Sequence, residues 1–95
     1  MSMSFPAKDP AATLDYQVDW SAWLADGETL TPEITVSDGI TLNPNGKTTT
    51  VENGRKATFW LAGGTAGEVY SIGFRITTSA GRVDERTIKL PVLDR

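Results

Sequence analysis

The chain has no cysteine and no histidine. Those two absences together remove disulfides, thiolate nucleophiles, imidazole bases and Cys/His zinc sites. No catalytic residue, metal or cofactor is expected. An excess of positive charge is also lacking: nine Lys and Arg stand against twelve Asp and Glu, a formal net charge of −3. Nucleic-acid binding needs a positive field to displace counterions from phosphates. Here the basic residues are scattered, with Arg55-Lys56 the only adjacent pair, so nucleic acid is not an expected partner. No run of about 20 apolar residues is present to cross a membrane, and the opening MSMSFPAKDP has no apolar stretch of signal-peptide length. The expectation is a chain made in the cytosol that stays soluble, with no membrane partner. A chain of 95 residues forms one thin core and not two, since at this size roughly 60–65% of the unfolded surface becomes buried.

What is present is alternation. Residues 1–13 carry two prolines and little periodicity, and read as an extended N-terminal arm that needs a partner to order it. From Leu14, the apolar Leu14, Tyr16, Val18 and Trp20 alternate with Asp15, Gln17, Asp19 and Ser21, the period of a half-buried strand. SAWLADGETL follows as a short turn or an irregular crossover. A second alternating run spans Leu30 to Val36, and Pro32 in it, unable to donate to a ladder, belongs at a strand start or an edge. Short strands are expected in ITLN and TTTVEN, with tight turns at Asn45-Gly46 and Asn53-Gly54. KATFWLA, a long strand from about Glu68 to Thr78, and RVDERTIKLPV complete the set. Short strands with turn signals about every ten residues indicate an all-β antiparallel sandwich of about seven strands in a single domain, residues 14–93.

The glycines of GGTAG, residues 63–67, pose the sharpest question, because a glycine-rich loop before an apolar run can cradle phosphate. That chemistry needs a helix after the loop, so that the helix N-terminus faces the anion. Here Tyr70, Ile72, Phe74 and Ile76 alternate with Ser71, Gly73, Arg75 and Thr77, which is a strand, and no Lys-Ser/Thr follows. GGTAG reads instead as a corner between sheets, with Tyr70 placed to put its ring in the core and bond its hydroxyl to the crossover backbone.

The remaining candidates are contact residues. Asp15 and Asp19 fall on the polar face of a strand, where solvation accounts for them, and no D-x-D-x-D-G calcium loop occurs. Trp20 shares the phase of the core residues, and core burial is its favoured reading. Trp60 points away from the face of Ala57, Phe59 and Leu61, which makes it a candidate interface aromatic unless a loop or the arm covers it. Trp23 has no phase to place it. In the last hairpin, Asp84 and Arg86 continue the inward face of Ile88, Leu90 and Val92 beyond the core's rim. Ion pairing across the hairpin and recognition of a partner both fit Arg82, Asp84, Glu85 and Arg86.

Lys8-Asp9-Pro10, then Asp15-Tyr16 and Asp19-Trp20-Ser21, then Trp60, Leu61, Gly63, Gly64, Thr65, Ala66, Gly67 and Tyr70, and finally Thr77 to Arg82 with Asp84 to Arg86, together resemble a known family. It is a family of small Ig-like virion proteins of tailed phages, labelled fiber-tail adaptors, and the resemblance runs from about Phe5 to Val92. It implies an Ig-like fold, no enzymatic activity, location in the virion after synthesis in the host cytoplasm, and docking on other virion proteins near the head-tail or tail-fiber region, with a homo-oligomer in the assembled particle as a further expectation. The contact residues expected are Phe5 and Lys8 of the arm, Trp20, Trp60, Arg82 and Arg86. A carbohydrate-binding module aiding host attachment and a capsid decoration protein are the alternatives.

Overall fold

The computed structural model describes residues 2–94. Each alternating run forms a strand, and the arm adds one that alternation did not announce: β1 (Ser2–Ser4), β2 (Leu14–Asp19), β3 (Leu30–Val36), β4 (Ile40–Leu42), β5 (Thr50–Glu52), β6 (Lys56–Gly63), β7 (Val69–Thr78) and β8 (Val83–Pro91). No helix occurs among the described residues. One sheet has the order β1-β8-β7-β3; the other has the order β2-β6-β4, with β5 also on β6. Every pair is antiparallel except β1, which runs parallel to β8. The molecule is an all-β sandwich.

The core lies where the inward stripes of the two sheets meet. Val18, Ala57, Phe59 and Leu61 from one sheet face Ile72, Phe74, Ile76, Ile88 and Leu90 from the other, all buried. Phe59 and Phe74 touch across the layers with ring centroids 5.8 Å apart, and Trp20 packs on Phe74 at 5.7 Å. Pro32 sits on β3, which among the described residues pairs with β7 alone and so is an edge, where a missing N–H leaves no ladder bond unmade. Asn53 and Gly54 both have positive φ, 53° and 68°, the backbone that a two-residue hairpin turn demands between β5 and β6.

SAWLADGETL is a single turn followed by a loop. The N–H groups of Trp23 and Leu24 both donate to the Trp20 carbonyl, at 2.9 and 3.0 Å, and the turn does not propagate. Asn43, at φ 50°, swings the chain out of β4. Its side-chain Oδ1 accepts from the Trp60 N–H at 3.0 Å while its own N–H donates to the Trp60 carbonyl at 2.8 Å. One asparagine thus extends the β6 ladder where the strand has ended.

The glycine-rich stretch is a corner. Tyr70 packs against the core, and its hydroxyl accepts a hydrogen bond from the Thr65 N–H at 2.8 Å. Gly64 has φ 96°, and a Cβ there would lie 2.7 Å from a Val92 methyl and 3.3 Å from the Tyr70 ring. Only glycine fits between them.

The segment set apart as an arm is built into the sandwich. Ser2, Met3 and Ser4 pair with Thr87, Ile88 and Lys89, and Lys8 bridges Val92. Between these two register points the arm uses four residues where β8 and its continuation use three, so it carries a bulge. The extra residue lets both Phe5 and Lys8 point inward, although three positions apart. Phe5 packs on Tyr16 at 4.5 Å and on Phe59 at 6.1 Å. The arm needs no other chain to order it, because its own sandwich supplies the strand and the apolar pocket.

Candidate docking surface

Two ends of the sandwich gather the polar chemistry. At the first, the loop from Trp20 to Glu28 is gripped by two arginines. Arg55 Nη2 donates to the carbonyls of Ser21 and Leu24 at 3.1 and 3.2 Å, and its Nη1 to that of Ala25 at 3.2 Å. Arg82 meets Glu28 with both arms of its fork, Nε donating to Oε2 at 2.9 Å and Nη2 to Oε1. Its guanidinium also stacks 4.0 Å from the Trp23 ring centroid. The Glu28 side chain is only 4% exposed. The Arg82 bonds, then the Thr78 hydroxyl and the Ala25 N–H, hold its carboxyl at a pKa of about 2. Arg86 lies 3.9 Å from the Trp20 ring centroid and pairs across the ladder with the buried Phe74.

At the second end stands Lys8, a lysine with no exposed surface. Its Nζ donates to the Gly63 carbonyl at 2.7 Å and the Asp9 carbonyl at 2.8 Å. Burial lowers its pKa, an effect that the nearby Asp9 partly offsets. The Lys8 backbone is tied as well: its N–H donates to the Pro91 carbonyl and its carbonyl accepts from Leu93, both at 2.9 Å.

The expected contact residues therefore separate. Trp20 and Lys8 are fully buried and present nothing to a partner; the Trp20 phase placed it in the core, and Lys8 follows Phe5 inward through the bulge. Phe5 is half-buried in the aromatic cluster. Arg82 is exposed, but its Nε and Nη2 are committed to Glu28 and the Trp23 carbonyl. Arg86 is half-buried on Trp20. Trp60 alone of the six stands on an outer face, half-buried beside Asp15, with Lys47 Nζ 4.4 Å from its ring centroid. Asp19, on the same face, is held below the usual carboxylate range by the Ser21 hydroxyl and N–H, with Lys56 and Arg55 adding to the effect.

Sequence reading missed a second surface. Val69 and Leu93 are 61% and 49% exposed. Val69 pairs with Pro91, and Leu93 continues the same face of that strand. Pro6, exposed on the arm, lies between the pairings of Ser4 with Lys89 and of Lys8 with Val92. A pair of exposed residues flanking Pro91 was legible only in the alternation of β7 and β8, where Val69 falls on the polar side.

The described residues enclose no pocket and bring no three acidic side chains together in a metal-holding group. What the fold defines is a small β-sandwich whose exposed features are surfaces rather than a cleft. The chain belongs to the family described as podophage GP4 fiber-tail adaptor protein gp77, whose model matches residues 8–91. No curated protein matches it.

Proposed function

We propose that this chain is a non-enzymatic structural protein of a phage virion. It is made in the host cytoplasm and acts as an Ig-like adaptor that docks on other virion proteins at the head-tail or tail-fiber region. The family match over residues 8–91 carries this reading. The Ig-like part draws support from topology: β3, β7 and β8 lie in one sheet and β2, β6 and β4 in the other, as strands C, F, G and B, E, D do in immunoglobulin sandwiches. The hydroxyl of Tyr70, bonded back to the crossover, is the corner device of the same architecture. Without histidine or cysteine, and with the bidentate Arg82–Glu28 pair spent on a loop, the chain offers surface complementarity and not reactivity.

The contact surfaces in this reading are the Trp60 face with Lys47 and the patch of Val69, Pro91 and Leu93. A sugar stacking on Trp60 would first have to displace the Lys47 ammonium from the ring, which disfavours the carbohydrate alternative. Complementation of a phage lacking this protein tests the proposal. Trp60→Ala and the double variant Val69→Ser/Leu93→Ser should fold normally, and at least one should lower incorporation into particles by about tenfold or more. Wild-type incorporation of both would overturn the assignment of these surfaces.

A further inference from the structure

We propose that the free edge of β2 receives an extended segment of another virion protein, one in which apolar residues alternate with lysine or arginine. The inference rests on the adaptor reading and names the chemistry of its partner. It follows from the direction of the β2 backbone groups. The Trp20 N–H donates to the Arg55 carbonyl at 2.9 Å. The N–H and the carbonyl of Trp60, the register partner of Asp15, both turn the other way, to Asn43. Alternation along an antiparallel ladder then sets the backbone groups of Leu14, Tyr16 and Val18 toward β6. It leaves the N–H and C=O groups of Asp15, Gln17 and Asp19 pointing out of the sheet. Among the described residues β2 pairs with β6 alone, so this row has no strand beside it.

The other edges are short or blocked. β1, β4 and β5 have three residues each. β3 is longer, but the Ser37 N–H donates to the Ser71 carbonyl, and the same alternation turns Pro32, Ile34 and Val36 to its free side. Pro32 removes a donor from that row, a device that blunts an edge. β2 has six residues and no proline. Its inner side is also incompletely covered, since Leu14 shares the inward phase of Tyr16 and Val18 yet is 42% exposed. A strand laid along β2 supplies the missing backbone partners, and its inward side chains cover Leu14. In strand addition of this kind, main-chain bonds give affinity and alternate side chains give specificity.

Charge selects the occupant. Asp15 and Asp19 are exposed on the outer face, and neither forms an ion pair among the described residues. Lys56 and Arg55 attract the Asp19 carboxylate from the β6 side, away from the free edge. A second copy paired antiparallel about Gln17 would set Asp15 opposite Asp19 of that copy, and like charges directly opposite destabilise a pair. Basic residues on the outer face of an incoming strand meet the same carboxylates with attraction. The edge thus repels its own copy and admits a basic strand.

The test separates backbone from side chain. Gln17→Pro deletes the outward N–H and leaves the ladder to β6 in place, while Gln17→Ala deletes the side-chain bond to Thr58. In a phage lacking this protein and complemented with each variant, Gln17→Ala should be incorporated into particles as the wild type is, and Gln17→Pro about tenfold less or worse. Asp15→Lys/Asp19→Lys should lose as much, whereas Asp26→Lys/Asp38→Lys, an equal change of charge at exposed turns, should lose nothing. The charge-reversed pair decides the matter if Gln17→Pro does not fold. In solution, the wild-type chain should bind a labelled peptide alternating lysine with valine, read by anisotropy, about tenfold more tightly than Gln17→Pro does. Normal incorporation of either edge variant would overturn the proposal. So would a wild-type chain that ignores the peptide, or a Gln17→Pro chain that binds it equally. Particles that need the protein but accept both edge variants sink the strand alone; complete particles formed without the protein sink the adaptor reading itself.

Discussion

The two ends of the sandwich are fastened in different ways. At the loop end, a charged pair holds a continuous stretch of chain: Arg82 and Glu28 each satisfy the other, and Arg55 binds three carbonyls of the same loop. At the arm end, a lone cation binds backbone carbonyls, and its counter-charge, the Asp9 carboxylate, belongs to the adjacent residue. A paired buried charge is costly to break, because the survivor is left without compensation. A cation on carbonyls is costly to bury but leaves only neutral acceptors behind when removed. The first arrangement ties a loop to the last hairpin by charge, whereas the second seats the arm through bonds to neutral acceptors.

The largest effect should come from unpairing Glu28. Arg82→Ala should lower Tm by about 10 °C or more, while Arg82→Lys recovers part of the loss. Acid titration checks the same pair. The Glu28 carboxyl has a folded pKa of about 2 against an ordinary 4.5, so folding favours its charged form. The stability it contributes is complete above pH 4.5 and is lost as pH falls toward 2. Wild-type Tm, measured relative to Glu28→Gln, should decline through that window and be constant above it. A constant difference down to pH 2 would mean that the pair does not hold the loop.

At the arm end a smaller loss is expected. Lys8→Ala opens a void and strips donors from the Gly63 and Asp9 carbonyls, a cost of about 2 kcal/mol by urea unfolding. Lys8→Met should recover most of it, since the methionine fills the void and removes an ammonium that burial disfavours. If Lys8→Met is as damaging as Lys8→Ala, the charge itself anchors the arm, and the contrast between the two ends narrows.

Sequence alone made the sandwich legible because its strands alternate. The hairpin at Asn53-Gly54, the edge proline Pro32 and the corner tyrosine Tyr70 follow from backbone requirements that few residues meet. The arm was not legible as part of the fold. A parallel pairing of three residues followed by a bulge puts Phe5 and Lys8 inward at a spacing of three, which no strand periodicity announces. Arg82 misled for a related reason. Its partner Glu28 lies 54 positions away in a loop without phase, so only the packing of that loop against the last hairpin reveals the pair. Trp60 was readable as outward-facing from strand phase, but the Lys47 above it comes from a turn whose direction alternation does not encode.

Two buried side-chain polar atoms have no hydrogen-bond partner among the described residues, the Trp20 Nε1 and the Tyr16 hydroxyl, and the second bears on the arm. The Tyr16 hydroxyl is buried and has no hydrogen-bond partner among the described residues, although its ring is packed by Phe5 and Phe59. Burial accordingly raises its pKa. An orphaned hydroxyl costs stability while the ring supplies it, so removing the oxygen should help: Tyr16→Phe should stabilise the chain by about 1 kcal/mol. The sign is informative about the arm, because Phe5 is what covers this ring. In a chain truncated before Lys8 the Tyr16 hydroxyl regains water, and the benefit of Tyr16→Phe should vanish. A destabilising Tyr16→Phe would show that the hydroxyl has a partner after all, and that the aromatic seat of the arm is held by more than apolar contact.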